Sequence, residues 1–172
     1  LSLDDEIFVF IAQSPYTGCL ITVENAPDVD TRFLDPCTGA SWDEFGLPLP
    51  SDDSDPPDRY RLPLMLPPYE IREGLVTLGG DAIPDELLPI DTADFDLISK
   101  DLDALERLQT GVRWNLTEMV REVLADGADA NFSTDVPNSA NTKTVLNVAV
   151  MHSGKAIITM LLDADAQPTW FD

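Results

Sequence analysis

The hydrophobic pattern of the chain changes its period part-way along, and this change limits the folds that the chain can adopt. Before residue 80, apolar residues form short β-branched and aromatic runs, which are typical of strands. After residue 95, they recur every three or four positions, which predicts amphipathic helices. The sequence therefore predicts an α+β protein, with domains at 1–80 and 95–172 joined by a linker at 81–94.

Strands are predicted at residues 6–12, 19–23 and 32–34. The prolines of residues 61–68 indicate an irregular extended segment. Residues 69–78 predict a hairpin that turns at Glu73-Gly74.

Four helices are predicted in the second half. The first runs from Phe95 to near Gly111, and the second is closed by Asp126-Gly127. The third ends at Ser153-Gly154, and the fourth ends before Pro168.

The chain is strongly acidic, with 32 Asp and Glu against 10 Lys and Arg and a net charge of −22. This balance excludes general nucleic-acid binding, because phosphate recognition needs Lys and Arg. No apolar run approaches the roughly 18 residues that a membrane span needs. The acidity fits a solvated surface, a docking face for a cationic partner, or a DNA mimic that inhibits a basic protein.

His152 is the single histidine of the chain. Catalysis by a histidine and metal sites built from several histidines are therefore almost excluded. No pair of carboxylates stands out as catalytic in so acidic a chain. We therefore predict a protein that is not an enzyme and that has no cofactor and no metal.

Two short motifs surround the only cysteines, SPYTGC at residues 14–19 and DPCTGASWD at residues 35–43. They resemble the two cluster-binding loops of Rieske iron–sulfur proteins, which read Cys-Thr-His-Leu-Gly-Cys and Cys-Pro-Cys-His-Gly-Ser-x-Phe-Asp. The resemblance covers about residues 6–79. It implies a small antiparallel β domain of the cytochrome bc type.

The same resemblance implies that the cluster has been lost. Ser14 and Tyr16 stand at the ligand positions of the first loop, and Asp35 and Thr38 stand at those of the second. A Rieske cluster needs two thiolates and two imidazoles, which these four side chains do not supply.

Cys19 and Cys37 align with the disulfide that ties the two loops together in the family. Such a bond would stabilise the domain by about 3 kcal/mol and would favour a periplasmic, lumenal or otherwise extracytoplasmic location. Two reduced thiols in a cytoplasmic protein, or a pair of metal ligands, are the alternatives.

The helical half resembles a short stack of ankyrin repeats. Residues 144–149 (TVLNVA) match the family's Thr-Pro-Leu-His-x-Ala, with Val145 for Pro and Asn147 for His, and residues 127–131 (GADAN) match its turn. The repeat implies a surface that binds proteins.

These features predict a non-catalytic accessory subunit or adaptor in a larger protein complex, with an electron-transfer assembly as the setting that the resemblance implies. Candidate partner contacts are Tyr16, Thr38, Trp42, Asn147, His152 and Trp170, although Trp42 also suits a packing role. The alternatives are a metal-dependent enzyme or carrier that reuses the emptied cluster site, and an acidic inhibitor.

Overall fold

The N-terminal half folds into short antiparallel strands in the computed structural model, which describes residues 2–3, 6–26, 29–49, 62–81, 83–84, 87–88, 102–134 and 143–168. The strands of this half are β1 (Ser2–Leu3), β2 (Glu6–Ile7), β3 (Thr22–Ala26), β4 (Val29–Leu34), β5 (Ser41–Trp42), β6 (Tyr69–Arg72) and β7 (Leu75–Leu78). β1 pairs with β2, β3–β4–β5 form a three-stranded sheet, and β6 pairs with β7.

The second half contains helices α1 (Ala104–Arg113), α2 (Thr117–Ala125), α3 (Val145–His152) and α4 (Lys155–Asp163). A small hairpin of β8 (Ser133–Thr134) and β9 (Lys143–Thr144) precedes α3. The mixed α+β class is thus confirmed. Among the helices of the described ranges, none has both the length and the apolar character needed to span a bilayer.

The predicted hairpin at residues 69–78 is confirmed. Its strands pair in register from Tyr69 with Leu78, and the turn residues Glu73 and Gly74 have positive φ angles of 51° and 77°. Two positive φ angles in a row match the right-handed twist of the strands that the turn joins.

The predicted strand at residues 6–12 is wrong in length, because β2 ends at Ile7. The following residues run beside the irregular segment 62–68 and bond to it only locally, as where the Ile11 amide donates to the Met65 carbonyl at 2.9 Å. Prolines in that segment have no amide hydrogen, so a continuous ladder does not form.

Two further strand boundaries differ from the predictions. The strand predicted at residues 19–23 begins at Thr22 as β3, because Leu20 forms only an isolated bridge with Gln13. The strand predicted at residues 32–34 begins at Val29 as β4.

The first predicted helix is wrong as one continuous element, because residues 102 and 103 are not helical. α1 begins at Ala104 because the Asp103 side chain accepts hydrogen bonds from the first-turn amides and Glu106 bonds back to the Asp103 amide, which is a complete capping box. The helix ends at Arg113, near the predicted end at Gly111, and Leu102 precedes its first residue. Phe95 lies outside the described residues. The other three helices end where the sequence predicts.

The largest core cluster contains residues from both halves of the chain. Met65 and Leu66 of the extended segment are buried with the apolar faces of the four helices, and so are Ile83 and Leu88 from the predicted linker. The domain boundaries at residues 80 and 95 stay predictions, but the two halves share buried surface.

A close backbone contact joins the region after β7 to the start of α4. The carbonyl oxygen of Asp81 lies where a Cβ atom would stand at Gly154. We expect Gly154→Ala to lower the free energy of unfolding by about 1–3 kcal/mol, because two backbone segments must separate. Urea denaturation measures this change, with the exposed neighbour Lys155→Ala as a control that should stay within about 0.5 kcal/mol. A stability of Gly154→Ala equal to that of the control would contradict this packing.

Candidate functional site

The first of the two motif loops, at residues 14–19, closes on itself through backbone hydrogen bonds. The Ser14 amide donates to the Cys19 carbonyl at 2.8 Å, and the Gly18 amide donates to the Ser14 carbonyl at 2.9 Å. Inside the loop, the Thr17 hydroxyl oxygen accepts from the Cys19 amide at 3.2 Å. The loop is therefore a tight turn with its own side-chain support.

The second loop, at residues 35–40, repeats this arrangement. The Asp35 amide donates to the Ala40 carbonyl, and the Gly39 amide donates to the Asp35 carbonyl, both at 2.8 Å. The Thr38 hydroxyl oxygen accepts from the Ala40 amide at 3.2 Å. The two loops, which we call the twin loops, thus share one geometry and the common pattern x-Pro-x-Thr-Gly-x.

Asp35 is the polar centre of the twin loops and is fully buried. Its Oδ2 accepts hydrogen bonds from the Thr38 hydroxyl at 2.7 Å and from the Thr17 hydroxyl at 3.1 Å. Its Oδ1 accepts from the Cys37 amide at 2.8 Å, and the Ser14 side chain is a further hydrogen-bond partner. The Asp35 carboxylate therefore joins the two loops through hydrogen bonds.

These contacts decide the charge of Asp35. Burial by itself raises the pKa of the carboxyl, but the hydrogen bonds from Ser14, Thr38, Cys37 and Thr17 together hold the pKa below its ordinary value. The carboxylate is therefore ionised at neutral pH.

A disulfide between Cys19 and Cys37 joins the twin loops, with the two Cα atoms 6.5 Å apart. The sequence left three states open for these cysteines: a disulfide, two reduced thiols, or a pair of metal ligands. The structure contains the disulfide. The two sulfur atoms and a carboxylate oxygen of Asp35 lie within 4.8 Å of one another. Because the sulfurs are bonded to each other, they offer no thiolate to a metal.

Tyr16 and Trp42 pack inside the β-rich half. Their rings are stacked with centroids 6.1 Å apart, and both are almost fully buried. Leu62 fixes both side chains, because its amide donates to the Tyr16 hydroxyl at 2.6 Å and its carbonyl accepts from the Trp42 indole at 2.8 Å. Trp42 thus takes the packing role, and contact of either ring with a partner would require this region to open.

The other candidate contacts lie apart from these rings. Thr38 is half-buried in the twin loops, and Asn147 and His152 are half-buried on α3. The structure therefore brings Ser14, Asp35 and Thr38 together but places the two α3 residues elsewhere. Trp170 lies outside the described residues.

Thr17 was not predicted as a site residue, although the Thr-Gly pair that both loops share was a signal for it. Gln109 and Arg113 of α1 were not predicted either, and both are polar but almost fully buried. Helical periodicity marks apolar faces and does not indicate that a charged side chain is enclosed.

Comparisons of the chain with protein-family models, with curated proteins and with solved structures found no match. The resemblances to Rieske proteins and to ankyrin repeats therefore stay predictions. In chemical terms, the twin loops have a carboxylate occupied by hydrogen-bond donors and sulfurs bonded to each other. This arrangement is suited to keeping the surface of the twin loops in one conformation.

Proposed function

We propose that this protein is a non-catalytic adaptor or accessory subunit that binds another protein by adding a partner strand to β7. The observation that carries the proposal is the exposure of β7. Its apolar residues Leu75, Val76 and Leu78 are 71%, 42% and 64% exposed. Exposed apolar strands of this kind are avoided in proteins that work alone.

The unpaired edge of β7 indicates which kind of partner segment can bind there. β7 pairs with β6 on one side, and no other strand of the described ranges pairs with it. An extended segment of a partner can therefore bond to the open backbone groups while its apolar side chains cover those of β7. We infer a partner with an apolar edge strand.

The twin loops support a non-catalytic interpretation of the β-rich half. Ser14 and Asp35, which stand at two thiolate positions in the Rieske resemblance, bond to each other, and Thr38 donates to the same carboxylate. In the alignment that the resemblance implies, hydrogen-bonded oxygen atoms thus stand at the positions of cluster ligands. The Tyr16 ring stacks on the Trp42 ring.

The helical half supports an ankyrin-like interpretation by its order of elements. Two helix pairs, α1–α2 and α3–α4, are separated by the β8–β9 hairpin, and α1 packs against α3. Stacked helix pairs of this kind bury their faces on each other and leave a surface for partners.

The proposal is tested by the native mass of the protein in a gentle extract of cells that make it. We expect a complex of fixed stoichiometry, and we expect Leu75→Lys with Leu78→Lys to weaken it by more than about tenfold, because two apolar contacts are lost. The control pair Leu20→Lys with Leu162→Lys adds the same charge at leucines that are 70% and 52% exposed, and it should leave the complex intact. A wild-type mass of one chain, or equal behaviour of both pairs, would refute the proposal.

A further inference from the structure

The two faces of the β6–β7 hairpin differ in character. Because directly paired residues share a face, one face contains Tyr69, Ile71, Val76 and Leu78, and we call it the apolar face. Tyr69 is buried and Ile71 is half-buried against the largest core cluster. Val76 and Leu78 remain 42% and 64% exposed. The apolar face therefore extends past the core that covers its first strand.

The same two residues of β7 carry the open backbone groups. The Gly79 amide donates to the Pro68 carbonyl at 2.7 Å, so it points toward the β6 side. Backbone groups along an antiparallel strand alternate between its two edges, so those of Val76 and Leu78 point to the unpaired edge. Among the residues that the structure describes, no backbone hydrogen bond outside the β6–β7 ladder uses them. An incoming strand would thus find backbone partners and apolar side chains at the same residues.

The opposite face of the hairpin is mainly polar. It contains Glu70, Arg72, Leu75 and Thr77, and the first two form an ion pair at 2.8 Å. In a partner strand, residues on this side can therefore be polar, whereas those on the side of the apolar face must be apolar. A partner strand should alternate between the two kinds of residue.

The charge of the chain decides the sign of those polar residues. Arg72 is the one basic residue of residues 69–81, and Glu70 pairs with it. Glu73 in the turn and Asp81 after β7 form no ion pair with any described basic residue. The whole chain adds a net charge of −22. A basic segment is therefore attracted to β7, whereas an acidic segment or a second copy of this chain is repelled.

We propose that the partner segment is an extended strand in which apolar residues alternate with Lys or Arg, and that it pairs with the unpaired edge of β7. The proposal rests on the adaptor function and names the partner of the same strand. The apolar residues of the segment cover Val76 and Leu78, while its main chain bonds to theirs. Its cations lie on the polar side, where the acidic chain speeds their association and excludes acidic strands.

The test measures binding of a fluorescent peptide, Lys-Val-Lys-Val-Lys-Val-Lys, to the purified protein by fluorescence anisotropy. One control peptide has Glu in place of every Lys, and the other has the same composition with all valines before all lysines. We expect the alternating basic peptide to bind at least about tenfold more tightly than either control. No binding of this peptide, or binding equal to that of either control, would overturn the proposal.

Two substitutions locate the peptide on the protein. Leu78→Lys removes an apolar contact and adds a cation, so we expect at least about tenfold weaker binding. The control Leu162→Lys makes the same change at a leucine of α4 that is 52% exposed, and it should alter binding by no more than about twofold. Equal binding by the two variants would place the peptide elsewhere and overturn the proposal.

A third variant tests the backbone bonds. Val76→Pro removes an N–H group at the unpaired edge, where proline is tolerated, and leaves the β6–β7 ladder intact. We expect the circular dichroism spectrum of the wild type and weaker peptide binding. A folded Val76→Pro protein that binds the peptide like the wild type would contradict strand addition.

The peptide experiment and the native mass separate the two proposals. A native complex that depends on β7, together with peptides that show no preference for basic alternation, would overturn the partner assignment alone. Self-association of the purified protein that Leu78→Lys abolishes would assign β7 to a second copy and would also overturn it. A wild-type mass of one chain in the extract would refute the adaptor function, and the partner assignment with it.

Discussion

Asp35→Asn is expected to lower the free energy of unfolding by about 2–4 kcal/mol, measured by urea denaturation at pH 7. The Asp35 carboxylate accepts from two hydroxyl groups and one amide, and the Ser14 side chain bonds to it as well. Asparagine keeps the shape but replaces one acceptor oxygen with a donor, which leaves buried donors facing each other.

The matched control is Asp163→Asn, which makes the same charge change at an exposed position at the end of α4. It should change the free energy of unfolding by no more than about 0.5 kcal/mol. Equal losses for the two variants would show that the twin loops do not depend on the buried carboxylate.

The effect of Asp35→Asn should also depend on pH. Because the pKa of Asp35 is lower in the folded protein than in the unfolded chain, its ionised form stabilises the fold above the unfolded value of about 4. That stabilisation is lost as the pH falls through the folded pKa. The difference in stability between wild type and variant should therefore be constant near neutrality and shrink below about pH 4. If the difference in stability between the two proteins grew as the pH fell below about 4, the lowered pKa of Asp35 would be contradicted.

Removal of the disulfide by Cys19→Ser with Cys37→Ser is the second large effect, with an expected loss of about 3 kcal/mol. The cysteines are 18 positions apart, and opening the cross-link frees this loop in the unfolded chain. The folded twin loops should persist, because Thr17 and Thr38 still bond to Asp35.

Chemical reduction of the wild-type protein supplies the control for the disulfide prediction. Urea denaturation of the reduced protein should give the same loss as the double variant, because both act on the same cross-link. A loss below about 1 kcal/mol in both would mean that the hydrogen bonds alone already fix the loops. If only the double variant lost stability and the reduced wild type did not, the serine side chains would be the cause of the loss.

Local signals in the sequence predicted the elements that depend on local chemistry. Gly74 in the hairpin turn and Gly127 after the second helix adopt positive φ angles at no steric cost, so both chain reversals were found. The start of α1 was missed because the apolar spacing continues back through Asp103, where the capping box begins the helix.

The candidate site was predicted only in part for a similar reason. The motifs identified Ser14, Asp35 and the cysteines, because their identities are visible in the chain. The burial of Tyr16 and Trp42 depends on Leu62, which lies 46 and 20 positions away, and no local pattern reveals such a contact. The enclosure of Arg113 likewise arises only when α3 packs beside α1.

The extended segment at residues 62–68 has a consequence for how this protein can change over evolution. Its carbonyl groups are not used in a ladder, and the Trp114 indole donates to Leu64 while the Asn115 amide group donates to Leu66, each at 2.8 Å. The helical half thus takes its acceptors from the β-rich half. A lineage that lost or exchanged either half would leave buried donors without acceptors, so we expect the two halves to be inherited as one unit.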